Sequence, residues 1–76
     1  MTITVVAYAE LKEYLGRSGI TSLEVDGGTT LGEVIQKLGL PEELIMSIVC
    51  EQKLEGLDST VKDGCVYQIL PLIGSG

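Results

Sequence analysis

Histidine, tryptophan and phenylalanine are all missing from this chain. Without histidine the usual general base of neutral-pH catalysis is absent. Without tryptophan and phenylalanine, any stacking on nucleobases must rest on three tyrosines. Positive charge is scarce too: Lys and Arg number 5 against 11 Asp and Glu, for a net charge of -6. Nucleic acid and anionic membrane both repel such a surface, so neither is expected as a partner, and a basic protein is the natural counterpart. No uninterrupted apolar stretch approaches the length that crosses a bilayer. The opening Met1–Val6 lacks the basic leader of a signal peptide, which makes the cytoplasm the expected location. Sulfur chemistry is limited to Cys50, Cys65 and the two methionines. Two cysteines fifteen positions apart are too few and too distant in the chain for a zinc site. Each lies among apolar, strand-like residues, where a free thiol acts as a small hydrophobe; a disulfide or reactive thiol is the alternative. A phosphate-cradling loop with its lysine is lacking, and Gly27-Gly28 reads as a turn. With no nucleophile–base pair and no metal cluster, an independent enzyme is not expected.

What is present is a short alternation of elements in 76 residues, the size of one small domain with one core. Thr2 to Tyr8 reads as a strand, with Ile3, Val5 and Ala7 on one face and Thr2, Thr4 and Val6 on the other. A short helix follows on Leu11 and Leu15, stopped by Gly16. Ser22 to Asp26 alternates as a second strand with Leu23 and Val25 inward, ended by Gly27-Gly28. Thr30-Leu31-Gly32-Glu33 is a capping box, in which the threonine hydroxyl and the glutamate carboxylate satisfy each other's exposed backbone donors. Leu31, Val34, Ile35 and Leu38 continue at helical spacing until Gly39 and Pro41 close the helix. Leu44 to Cys50, apolar except for Ser47, fits a central strand buried on both faces. Lys53 to Glu55 fits a short edge strand, Asp58 to Gly64 a turn-rich connection, and Cys65 to Leu70 the final strand. The expected class is an α+β roll, a mixed sheet of four to five strands folded over one main helix. If the first and last strands pair in parallel at its centre, the chain end leaves the body in a fixed direction.

That end is Pro71-Leu72-Ile73-Gly74-Ser75-Gly76. Proline cannot donate to a sheet ladder, so Pro71 is expected to end the strand pattern. The division is therefore a globular body over 1–70 and a flexible tail over 71–76. Extended, six residues reach roughly 20 Å, enough to enter a partner's pocket while the body stays outside. The alternative is an ordinary frayed terminus.

These blocks together resemble the ubiquitin-like β-grasp sulfur carriers, specifically the small subunit of molybdopterin synthase and the related thiamine-pathway carrier. The matching residues are Tyr8-Ala9-Glu10-Leu11-Lys12-Glu13-Tyr14-Leu15-Gly16, Thr30-Leu31-Gly32-Glu33-Val34-Ile35, Leu57-Asp58-Ser59-Thr60-Val61-Lys62-Asp63-Gly64 and the tail from Pro71 to Gly76. They span the whole chain in the family's order, and the first block favours the molybdopterin branch. The resemblance implies a protein substrate, a carrier or small non-catalytic subunit. Its Gly76 carboxylate would attack the α-phosphate of ATP in a ubiquitin-activating-type adenylyltransferase, which would itself hold the ATP and magnesium. A persulfide donor would then supply the sulfur of a terminal thiocarboxylate. Leu72, Ile73, Gly74 and Ser75 would thread into the partners, among them a larger synthase subunit, in molybdopterin or tungstopterin biosynthesis. No cofactor would be bound by this chain. Two departures stand out: Ser75 replaces the family's penultimate glycine, and Cys50-Glu51-Gln52-Lys53, read as a lengthened turn, replaces the usual Asn-Gly.

Docking of the body depends on the phase of the last strand. If Tyr67 and Ile69 face the helix, Val66, Gln68 and Leu70 face out, and Val66 with Leu70 would form an apolar partner-binding patch beside the tail. A phase shifted by one residue, or cover from the chain's own loops, would remove that patch. Two other functional classes fit the same pattern. A ubiquitin-like modifier would join its terminus to lysines of other proteins, and an interaction domain would carry the tail without activation.

Overall fold

The computed structural model describes residues 1–16 and 18–72; Ile73, Gly74, Ser75 and Gly76 lie outside the described residues. The strands are β1 (Thr2–Ala7), β2 (Ile20–Glu24), β3 (Ile45–Cys50), β4 (Lys53–Glu55) and β5 (Val66–Pro71), with one α-helix, α1 (Leu31–Leu38). Two 3-10 segments, Ala9–Glu13 and Glu42–Leu44, join them. The five strands form one mixed sheet in the order β2-β1-β5-β3-β4. Its centre is the parallel pair β1–β5, in register from Thr4↔Val66 to Ala7↔Ile69, the condition the sequence sets for a fixed exit of the chain end.

One face of this sheet is sealed. Alternation places Ile3, Val5 and Ala7 of β1, Ile48 of β3, and Tyr67 and Ile69 of β5 on the inner side. There they share one core with Leu31, Val34 and Ile35 of α1 and with Leu11 and Leu15 from the first connection. Tyr67 is buried to its hydroxyl, whose oxygen accepts the Lys62 backbone N–H at 3.0 Å, so the core's one phenol carries no unpaired acceptor. The helix begins at the anticipated capping box. Thr30 Oγ1 accepts the Glu33 N–H at 3.3 Å, and the Thr30 N–H and hydroxyl both donate to Glu33 Oε1, at 2.9 and 3.1 Å. These donors hold the Glu33 carboxyl below its ordinary range, the backbone N–H contributing most. Gly39 ends the helix with φ 74°, a left-handed conformation in which a Cβ would be strained.

Four expectations need correction. The central strand is β5; β3 lies one place further out, and its outer face is not buried, since Met46 is exposed and Ser47 and Val49 are only half-covered. A continuous apolar run signals burial on both faces only where layers cover both, and here the helical layer covers one. The Cys50–Lys53 connection is not lengthened. Cys50 pairs directly with Lys53, leaving a two-residue turn at Glu51 (φ 54°) and Gln52 (φ 67°). Two positive φ values define the type I′ turn that Asn-Gly suits, so these side chains occupy it under strain. Finally, Pro71 closes β5 instead of standing beyond it. It is buried opposite Ile45, and the Leu72 N–H after it donates to the Leu44 carbonyl at 2.8 Å. Proline is tolerated because it sits at the strand's last position, next to a bulge in β3. β2 also begins earlier than expected, at Ile20, carried there by its pairing with Val6.

Replacing Gln52 with Gly should raise unfolding free energy by about 1 kcal/mol, because glycine occupies the left-handed region without Cβ strain. Urea denaturation would measure this. Thr30→Ala should cost about 1 kcal/mol through loss of the cap. Because the Glu33 pKa is lowered on folding, its contribution is complete above the ordinary value of 4.5 and disappears as pH falls through the lower folded value. Acid titration of the unfolding midpoint, compared with Glu33→Gln, would reveal that loss.

Candidate functional site

The site is best built from the uncovered face of the sheet. Pairing sets its columns: Ile20 lies beside Val6, Val6 beside Gln68, Gln68 beside Val49 and Val49 beside Leu54. One row of outward side chains therefore crosses all five strands, apolar at four of five positions. Leu54 is 76% exposed and Ile20 53%. Half-buried Leu70 stands toward the chain end from this row, paired with Ser47, and exposed Met46 occupies the adjoining bulge. In the opposite direction the face turns polar: Thr4 and Ser22 hydroxyls meet at 3.3 Å and Thr2 donates to Glu24 at 3.3 Å. The apolar half thus lies toward the exit of β5, where Leu72 emerges 46% exposed. Contiguous exposed apolar surface of this kind marks an interaction site.

The inward–outward phase of β5 puts Tyr67 and Ile69 inside and Val66, Gln68 and Leu70 outside. Val66 and Leu70 do not make a patch by themselves. Four residues at about 3.3 Å each separate them by ~13 Å, with Gln68 between. Val66, 46% exposed, sits beside Thr4 at the polar end, whereas Leu70 belongs to the apolar half. Val6, Ile20, Val49 and Leu54 complete that half and were not singled out from the sequence. A signal for Val49 existed in the uninterrupted apolar character of β3, and one for Leu54 in an apolar residue on a short edge strand. Both became readable only with the pairing register. Ile73, Gly74, Ser75 and Gly76 lie outside the described residues; the structure describes the chain only as far as Leu72, whose backbone bond to Leu44 sets where and in what direction it leaves.

Exposed charge on the molecule is of both signs: Lys53 stands beside Leu54 on β4, while Glu10, Glu42, Glu43 and Glu51 are exposed and Glu55 is half-buried. Clefts are shallow among the described residues. One, about 410 Å³ between Ala9, Lys12, Glu13 and Gly16, has one basic and one acidic side chain and no nucleophile–base pair. At the end of the sheet remote from the tail the fold brings together two residues that look distant in sequence. Cys50 and Cys65, both buried and free, have their sulfurs within 4.8 Å of each other and of a Glu51 carboxylate oxygen. Burial above all, then Cys65 and the carboxylates of Glu51 and Glu55, pushes the Cys50 thiol up to about 11.

No family model and no curated protein matches the chain. Solved structures do. SAMP1 from Haloferax volcanii, a small archaeal modifier protein, superposes with a TM-score of 0.78 at 18% identity over the whole of both chains. A Pyrococcus furiosus protein, assigned by proposal as molybdopterin converting factor subunit 1, gives 0.76 at 17% identity, covering 96% of this chain and 99% of its own. In the complex of molybdopterin-converting factor subunits 1 and 2 from Helicobacter pylori, the matching chain gives 0.64 at 23% identity over both full lengths. The structural neighbours are thus ubiquitin-like β-grasp proteins, and the chain has their fold.

The two faces of the sheet should respond oppositely to substitution. Leu54→Asp, at an exposed position, is expected to leave stability within about 0.5 kcal/mol. Ile69→Ala, in the core, should cost about 2–5 kcal/mol. Urea unfolding of the pair would measure the contrast.

Proposed function

We propose that this chain is a carrier protein whose C-terminal carboxylate is activated by a partner enzyme and converted to a thiocarboxylate, for sulfur transfer in molybdopterin or tungstopterin biosynthesis. The observation that carries the reading is the placement of the β5 exit. A central strand, held by a parallel neighbour, delivers the tail beside an exposed apolar half-face. A partner can grip that half-face and receive the extended tail in the same docking event. The neighbour drawn from a two-subunit molybdopterin-converting complex supports a larger synthase subunit as one such partner.

The chemistry requires Gly76 to be the free chain end. Its carboxylate is ionised at neutral pH, with an ordinary pKa of roughly 3.5, and is a ready anionic nucleophile. It attacks the α-phosphorus of ATP, expelling pyrophosphate and forming an acyl-adenylate. A persulfide of the donor displaces AMP, and a second thiol cleaves the resulting S–S bond to leave the thiocarboxylate. Magnesium and cationic groups that offset the repulsion between carboxylate and phosphate belong to the activating partner. The net charge of -6 favours approach to a basic surface.

A second reading, a ubiquitin-like modifier, is favoured by the likeness to an archaeal modifier protein. The two share adenylation and part at the product. Intact mass of the protein after incubation with host extract, ATP and a sulfur source separates them. One oxygen replaced by sulfur in the peptide ending at Gly76 supports the carrier; an isopeptide bond to lysine supports the modifier.

Deleting Gly76 should abolish transfer with unfolding unchanged, and full activity in that variant would end the carrier reading. Ser75→Gly should raise adenylation by roughly 5- to 30-fold if the partner's channel requires a positive φ there. An equal rate would show that the channel accepts an extended serine. Leu54→Asp should weaken capture by the activating enzyme while leaving the fold intact, which pull-down with the purified enzyme would test.

A further inference from the structure

We propose that Cys50, Cys65 and Glu51 form a binding site for a zinc ion at the end of the sheet opposite the tail. The site does not rest on the carrier reading. Cys50 ends β3 and Cys65 precedes β5, and alternation along these neighbouring strands points both side chains to the inner face. The Cys65 backbone is pinned on two sides, its carbonyl accepting the Thr4 N–H at 3.0 Å and its N–H donating to the Lys62 carbonyl at 3.2 Å. Glu51 stands at the first position of the β3–β4 turn with φ 54°. That position suits asparagine, yet a glutamate occupies it and extends its carboxylate to within 4.8 Å of both sulfurs. Residues held in sparsely populated conformations cluster at functional sites, and one of the two strained turn residues here, Glu51, completes the cluster.

Two thiolates and a carboxylate are the donors that a borderline-soft, tetrahedral ion prefers. Zn–S bonds of about 2.3 Å place the ligand atoms roughly 3.8 Å apart, which side-chain adjustment alone can reach from the observed spacing. Glu51 is exposed while both cysteines are buried, so the cluster reaches the surface on the Glu51 side. The nearby Glu51 and Glu55 carboxylates add negative charge that favours a cation at this cluster. Tyr67 provides outer support. Its hydroxyl is anchored by the Lys62 N–H, and its pKa is raised chiefly by burial and further by the two nearby thiols. Each new Zn–S bond replaces an S–H bond, so binding releases two protons and consumes no oxidant or reductant. The bound ion would clamp the start of β5 to the β3–β4 turn.

The test uses the full chain, reduced and treated with chelator, then titrated with Co²⁺ as the optical probe and with Zn²⁺ as competitor. The expected result is one ion per chain, with thiolate-to-cobalt charge-transfer absorption, displacement by Zn²⁺ and release of two protons. Zn²⁺ should also raise the urea midpoint of the wild-type chain. Cys65→Ser should abolish the charge-transfer band and the midpoint shift, and Glu51→Gln should weaken Zn²⁺ binding by at least about tenfold. The Glu51 variant keeps both thiols, so it remains informative even if a cysteine variant fails to fold. Absence of the charge-transfer band together with an unmoved midpoint in the wild-type chain would overturn the proposal. So would recovery of the protein from its host with Cys50 and Cys65 joined as a disulfide.

Discussion

Everything functional in this molecule hangs on the parallel pairing of its first and last strands. Thr4 meets Val66 and Ala7 meets Ile69, residues from opposite ends of the chain, at the middle of the sheet. Such a pairing closes almost the entire chain as one loop, and the entropy lost must be recovered by burial around the same two strands. Ile3, Val5, Ala7, Tyr67 and Ile69 perform that burial against α1. A chain end emerging from an edge strand would have one neighbour and freedom to fray. Emerging from β5, it is paired on both sides as far as Ile69 and on the β3 side as far as Leu72.

The sheet is deliberately one-sided. Its inner face is complete, with Tyr67 hydrogen-bonded and no buried side-chain polar atom lacking a partner among the described residues. Its outer face is divided along the strands, hydroxyls at the amino-terminal end of β5 and aliphatic side chains toward the exit. Leaving Leu54, Ile20 and Met46 in water forgoes stabilisation that polar residues would not lose, roughly 25 cal/mol for each Å² of apolar area left uncovered. Under the proposed carrier function, docking against a partner would recover that energy. The net charge of -6 discourages self-association of the aliphatic patches.

The opposite end of the sheet has a different character. There the β3–β4 turn, the start of β5 and the connection through Lys62 converge on two thiols and a phenol. The two regions lie at opposite ends of the sheet, the apolar half-face toward the β5 exit and the thiol pair at its start.

Much of the architecture was legible in the residues themselves. Period-two alternation in Thr2–Ala7, the Thr30–Glu33 capping box and the Gly39 stop are local signals, and local signals depend on backbone geometry that neighbouring residues dictate. The inner phase of β5 was likewise readable, since Tyr67 and Ile69 alternate with Gln68. The resemblance to ubiquitin-like carriers rested on the order of such blocks. Register and adjacency were not legible, because they are set by partners far away in the chain. Only the tertiary structure could place β3 outside the centre, join Ile20, Val6, Val49 and Leu54 into one apolar half-face, or show the β3–β4 turn as a strained two-residue hairpin. Only it could bring Cys50 and Cys65 together. Fifteen residues separate them along the chain, but antiparallel pairing folds that span back on itself, and distance in sequence then ceases to measure distance in space.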